Sequence, residues 1–120
     1  TMKIAVSSRG QSLESDVDPR FGRAAFIVIV DTGTMEFEVL DNSPNVNAFK
    51  GAGIQAATSV CDKGAEVLMT GYCGPKAFQV LETAGVKVVN DTTGTIKDAV
   101  ETFKQGGVTF ASSANADAHW

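Results

Sequence analysis

A chain of 120 residues with a formal net charge of −4 and a pI near 4.8 lacks the basic face on which general nucleic-acid binding depends. Its hydrophobic fraction of 43% and charged fraction of 20% are those of an ordinary globular domain, and no apolar run approaches the roughly 20 residues that span a membrane. One core can form at this length without a staple, and Cys61 and Cys73 are spaced neither as a redox pair nor as zinc ligands.

Lys3 to Ser7 predicts a first strand on Ile4, Ala5 and Val6. The residues ahead of it show no signal-peptide layout, so a cytoplasmic location is expected. Ala25 to Asp31 predicts a second strand, apolar on both faces from Phe26 to Val30 and therefore interior to a sheet. Thr32-Gly33-Thr34 predicts a hairpin turn into a third strand over Glu36 to Leu40, whose partial alternation suits an edge. The pattern then changes. Ile54 to Lys63 predicts a helix stopped by Gly64, Glu66 to Thr70 a strand, Lys76 to Ala84 a helix stopped by Gly85, and Val86 to Val89 the last strand. In the final helix Ile96, Ala99, Val100 and Phe103 share one face behind Thr95-x-x-Asp98, a capping-box variant, and Gly106-Gly107 ends it. One domain over residues 2–107 is expected. A flexible tail is expected over 108–120, of which Ala111 to Trp120, with the single histidine His119, is too weakly apolar to pack.

A hairpin followed by alternating helices and strands predicts a three-layer α/β/α sandwich on a mixed five-stranded sheet, order 3-2-1-4-5. That order brings the loops Ser8 to Arg23, Asn42 to Gly53, Gly71 to Pro75 and Asp91 to Gly94 to one edge. Open α/β sheets bind ligands at such an edge.

These loops suit an anion. The chain's three arginines, Arg9, Arg20 and Arg23, all lie in the first loop. A guanidinium is always charged, weakly hydrated and forked, which fits an oxyanion or a large soft anion. The other reading of Arg20 or Arg23 is a loop-closing pair with Asp16 or Asp18. Lys50-Gly51-Ala52-Gly53-Ile54 opens a helix with two glycines, so a ligand can approach backbone N–H groups at the positive end of the helix dipole. Gly71-Tyr72-Cys73-Gly74-Pro75 repeats the arrangement, with Pro75 suited to the first helical turn. Cys73, at the mouth of that helix, is a candidate thiolate metal ligand or else a small half-buried hydrophobe. Cys61, well inside its helix, belongs to the core. Catalysis has little support: no histidine lies in the folded region, and the Walker, GxGxxG and GxSxG patterns are absent. No hydrolysis and no nucleic-acid or membrane partner is expected.

The run Pro19-Arg20-Phe21-Gly22-Arg23-Ala24, followed by a strand ending at Asp31, then Gly51-Ala52-Gly53, Thr70-Gly71-x-x-Gly74-Pro75-x-Ala77-Phe78 and Ala84-Gly85-Val86-Lys87-Val88, resembles the nitrogenase iron-molybdenum cofactor-binding and biosynthesis family of the NifX and NafY type. The resemblance covers residues 2 to about 107. It is strongest to stand-alone members from sulfate-reducing bacteria that carry a mixed molybdenum-copper sulfide cluster without covalent attachment. It implies a ribonuclease-H-like fold, a non-catalytic cofactor carrier and an anionic metal-sulfur cargo held mainly by non-covalent contacts. An iron-molybdenum cofactor is the alternative cargo, and docking of a MinD-type P-loop ATPase an alternative role. A monomer is expected. Many relatives have a histidine just before the Gly-Ala-Gly turn, where this chain has Phe49-Lys50, so imidazole ligation is missing there. The expected site comprises Arg9, Arg20, Phe21, Gly22, Arg23, Lys50, Gly51, Ala52, Gly53, Ile54, Gly71, Tyr72, Cys73 and Gly74. Phe21, Tyr72 and Ile54 would supply its apolar side.

Overall fold

The computed structural model describes residues 2–42 and 51–111. Strand β1 (Lys3–Ser8) pairs antiparallel with β2 (Phe26–Asp31), and β2 antiparallel with β3 (Phe37–Asp41). On the other side β4 (Val67–Met69) lies parallel to β1, and β5 (Lys87–Val89) parallel to β4. The order is therefore β3-β2-β1-β4-β5, with β3 at one edge as its pattern predicts.

Side chains alternate across a strand, and that period divides the core in two. Ala5, Ile27, Ile29, Leu68 and Val88 pack under α1 (Ala52–Asp62) and α2 (Pro75–Thr83). Ile4, Val6, Val28, Val30, Val67 and Met69 pack on the opposite face against α3 (Ile96–Lys104). The molecule is thus the three-layer α/β/α sandwich with ribonuclease-H-like strand order. Burying one such aliphatic side chain is worth about 1.5–3 kcal/mol, so both faces of the sheet must be covered.

β2 is apolar on both faces, so hydrophobic pattern alone does not set its register. The turn after it does. Asp31 Oδ1 accepts from Gly33 N (2.8 Å) and Thr34 N (3.3 Å), Met35 N bonds Asp31 O (2.8 Å), and Asp31 N bonds Glu36 O (2.9 Å). The predicted hairpin is therefore built around Asp31, with Met35 at φ 62°, and β3 starts at Phe37 rather than Glu36.

The helices end as expected on glycines with left-handed backbone: Gly64, Gly85 and Gly106 at φ 76°, 82° and 76°. In each case the next N–H returns five residues: Ala65 to Val60, Val86 to Leu81, and Gly107 to Thr102. α1 starts two residues before the predicted Ile54, because Gly51 takes φ 82° and releases the chain directly into a helix. Beyond Gly107 the chain follows the outer edge of β5. Ala111 N bonds Val88 O (2.7 Å), the Phe110 ring meets Phe103 edge-on, and the Lys87 ammonium lies 4.9 Å from its centroid. Residues 112–120, the rest of the expected tail, lie outside the described residues. No helix among the described residues is long and apolar enough to cross a membrane.

At the start of α3 the Thr95 side chain accepts from Asp98 N at 3.1 Å, the half of the capping box the sequence predicts. Thr95→Ala should lower stability by about 1 kcal/mol with the fold retained, read as a drop in urea midpoint at unchanged slope.

Candidate anion-binding site

At one edge of the sheet Ser8, Phe26 and Asp41 stand in register, and the C-terminal ends of β4 and β5 lie alongside. The buried polar residues, Ser7, Ser8, Asp18, Asn42 and Thr70, all sit at this edge. They serve the loops that leave it. Ser7 Oγ lies 2.6 Å from Asp18 O and 2.7 Å from Thr70 Oγ1. One hydroxyl proton cannot serve both, so the Thr70 hydroxyl donates to Ser7 and Ser7 to the Asp18 carbonyl. Asn42 Nδ2 donates to Ala24 O (2.8 Å) and Gly22 O (3.3 Å).

Pro19 to Arg23 forms a turn wedged between two segments that each enter a helix. On one side Tyr72 N bonds Pro19 O (2.6 Å), Phe21 N bonds Tyr72 O (3.3 Å), and a Cβ on Gly71 would stand 2.7 Å from Pro19 Cα. On the other side a Cβ on Gly22 would stand 2.8 Å from the Cα and N of Gly53. Gly22 and Gly71 are thus required by close backbone approach. Phe21, 1% exposed, plugs the core beneath the turn. It therefore offers no surface to a ligand, contrary to the expectation from sequence.

The two helix starts at this turn differ from the third. At α3, Ile96 N bonds Ser15 O, Lys97 N bonds Leu13 O, and Asp98 N bonds Thr95 Oγ1. Its first-turn donors are satisfied by the chain itself. α1 begins at Gly51 and α2 at Gly74, neither with a side-chain cap. The N–H groups of Ala52, Gly53 and Ile54, and of Lys76 and Ala77, meet no acceptor among the described residues. The first residues of α1 lie against the turn and the segment that enters α2 touches it, each helix with open first-turn donors at the positive end of its dipole.

Arg20 and Arg23 flank Gly22 in this turn. Arg20 N donates to Asp18 Oδ1 (2.9 Å), and Arg20 Nε lies 3.6 Å from the same oxygen, so the loop-closing pair with Asp18 is present. Yet the Arg20 side chain is 52% exposed while that of Asp18 is 6% exposed, so the guanidinium remains available at the surface. Arg9 belongs to another lobe: its N–H bonds Asp16 O, and its loop is pinned to the first turn of α3. Lys50 lies outside the described residues. Tyr72 and Ile54 are exposed beside the turn, as an apolar contact surface requires. Asn42, Ser7 and Thr70 escaped the sequence expectations as site-building residues, and Asp18 entered them only as a loop-closing partner of Arg20 or Arg23.

Of the two readings of Cys73, burial favours the small hydrophobe over the thiolate ligand. Its side chain is 0% exposed in the core cluster that holds Phe21, Ala77 and Phe78, its Sγ lies 3.8 Å from the Gly74 carbonyl oxygen, and desolvation pushes the thiol up to about 12. Burial outweighs the helix dipole here because water can no longer solvate the anion. Partial burial, then the Asp62 carboxylate, also raises the thiol of Cys61, which packs against the first core cluster as expected. Among the described residues no three His, Cys, Asp or Glu side chains form a metal cage.

A cavity of about 600 Å³ lies elsewhere, lined by Asn90 to Thr93, α3 and Gly107 to Ala111. It contains no arginine or lysine, so size does not make it the anion site.

The family model for the dinitrogenase iron-molybdenum cofactor matches residues 2–106, and the chain belongs to that family. It is similar in structure to the apo form of the orange protein of Desulfovibrio gigas, at 47% identity and TM-score 0.93, with 97% of this chain and 98% of that chain covered. A Thermotoga protein solved by NMR and described as a NifB protein is 32% identical at TM-score 0.83, with 97% and 98% covered. An uncharacterised protein of Methanocaldococcus jannaschii is 28% identical over 108 residues, 88% of this chain and 87% of that one.

Two outcomes test this geometry. Gly22→Ala should cost about 1–3 kcal/mol, because its Cβ would press on backbone that cannot step aside; a urea midpoint equal to wild type would contradict the close approach. Cys73 ionises at its ordinary 9.0 when unfolded but only near about 12 when folded. Its contribution is therefore complete below pH 9 and lost as pH rises toward 12. Stability of wild type should fall more steeply between pH 9 and 10.5 than that of Cys73→Ala, measured by urea unfolding at each pH.

Proposed function

We propose that this chain is a non-catalytic carrier of an anionic molybdenum-copper sulfide cluster, held at the Pro19–Arg23 turn by charge, backbone N–H donors and apolar contact. One observation carries the reading: two helix starts without side-chain caps meet a turn bearing Arg20 and Arg23, while the neighbouring thiol is buried and protonated. In this reading Arg20 and Arg23 supply charge, the first-turn amides of α1 and α2 supply directed donors, and Tyr72 and Ile54 cover the soft sulfide surface. Lys50, adjacent in sequence to Gly51, adds a further cation. Large sulfide anions are weakly hydrated, so guanidinium and exposed apolar groups suit them together. The family model and the similarity to the orange protein support a metal-cluster cofactor, and the molybdenum-copper identity comes from the sequence resemblance to stand-alone members. The family model, described by the iron-molybdenum cofactor, favours the second reading of the same site, a carrier of that cofactor.

Reconstitution of the apo-protein with tetrathiomolybdate and copper, followed by gel filtration and metal analysis, tests the proposal. Wild type should retain both metals through the column. Replacing Arg20 and Arg23 together by alanine should weaken retention by about ten-fold or more, since hydrogen bonds to charged groups contribute roughly 1.5–3 kcal/mol each. Cys73→Ser should keep most of the cluster. Equal retention by wild type and the double variant across a salt series would refute the electrostatic site. Preferential binding of isolated iron-molybdenum cofactor over the molybdenum-copper mixture would select the second reading.

A further inference from the structure

Asp18 is a carboxylate placed beside a site for anions, where Coulomb repulsion makes it costly, and it needs an account. Its backbone is fixed by two hydrogen bonds, both with Ser7, which is itself tied to Thr70. Asp18 N bonds Ser7 O (2.9 Å), the Ser7 hydroxyl bonds Asp18 O (2.6 Å), and Ser7 Oγ is itself held by Thr70 Oγ1 at 2.7 Å. Ser7 and Thr70 are fully buried strand-end residues, and Asp18 is 4% exposed. The carboxylate is therefore a fixed post. Its Oδ1 accepts the Arg20 N–H at 2.9 Å and lies 3.6 Å from Arg20 Nε, so one oxygen engages both the backbone and the inner edge of the guanidinium.

An unrestrained arginine surrenders substantial rotamer freedom when it captures a ligand. An ion pair between Nε and a buried oxygen at 3.6 Å removes part of that loss beforehand and leaves the Nη edge, on a side chain 52% exposed, for the ligand. We propose that Asp18 is the positioning residue of the anion site, acting through Arg20. The proposal rests on the anion-carrier reading above and names how the chain prepares that site. It also has a sign opposite to simple electrostatics. Replacing Asp18 by a neutral residue makes the edge more positive, so charge alone predicts tighter anion binding, whereas lost positioning predicts weaker binding.

The probe is tetrathiomolybdate, titrated by visible spectroscopy and calorimetry into wild type, Asp18→Asn, Arg20→Ala and the double variant. Asparagine keeps an Oδ1 acceptor for the Arg20 N–H and removes only the charge. Asp18→Asn should weaken binding by about three- to ten-fold and should have no effect in the Arg20→Ala background, the non-additivity expected of residues acting as one unit. Tighter or unchanged binding by Asp18→Asn, or an equal loss in the Arg20→Ala background, would overturn the positioning role. Nitrogen-15 relaxation of the Arg20 Nε–H in unliganded wild type tests positioning without cargo and without any variant. An ordered Nε–H supports it, and one as mobile as a solvated arginine refutes it. If wild type shows an ordered Nε–H but no thiomolybdate binding, the carrier reading fails while the Asp18–Arg20 arrangement stands.

Discussion

The arrangement depends on a backbone contact: the Pro19–Arg23 turn lies against the first residues of α1 at Gly22 and against the segment entering α2 at Gly71, at distances that leave no room for a Cβ. Without that approach the two helix starts would be separate features of two loops. With it, the backbone that carries the two arginines is packed directly against the start of α1 and the segment entering α2. Phe21 anchors the turn from below as one of the largest fully buried side chains, so the core that stabilises the fold also fixes the site. Stability and site geometry are therefore inseparable at Phe21, Gly22 and Gly71, while Arg20 and Ile54 can change with little cost to the fold.

An acidic chain of net charge −4 does not attract anions as a whole, so any anion site on it must be local. Exposed charges are screened within roughly 8–10 Å at ordinary salt, which is about the scale of one loop cluster. Within that range the structure brings Arg20 and Arg23 to the start of α1 and to the segment entering α2, with the buried carboxylate of Asp18 held against Arg20. The contrast with α3 sharpens the point. There a Thr cap and the carbonyls of Leu13 and Ser15 close the first turn, as an ordinary helix start requires, whereas α1 and α2 begin on glycines that can close nothing with a side chain.

The strand order was legible because period-two and period-3.6 patterns are local, and the right-handed crossover rule leaves few topologies for a hairpin followed by helix-strand units. Convergence of the loops followed from that order alone. Boundaries failed where a backbone conformation rather than a pattern governs them, as at Gly51, whose left-handed cap advances α1 by two residues, and at Asp31, whose carboxylate delays β3 by one. Phe21 was misread, and Cys73 was left open between ligand and hydrophobe, for one shared reason. Sequence shows that a residue lies beside a loop but not on which side of the loop its side chain falls, and here both turn inward. Asp18 was visible only as a partner that could close the loop. That it is nailed in place by Ser7 and Thr70, far away along the chain, is tertiary information.

The inward turn of Cys73 bears on how such a site can work. A thiolate cage binds metal with apparent free energies of about 10–16 kcal/mol at neutral pH, and its cargo leaves only by ligand exchange or protonation. Charge-assisted hydrogen bonds of roughly 1.5–3 kcal/mol each, screened by salt, give a site that fills and empties without a bond to the metal being made or broken. Sulfide bridges within a cluster are themselves vulnerable to an exposed thiolate, which competes for the same soft metal. A buried, protonated Cys73 removes that competitor, since its ionisation lies near about 12. For the proposed cargo, the burial that deprives the site of its one apparent ligand is thus what allows an assembled cluster to be held and passed on intact.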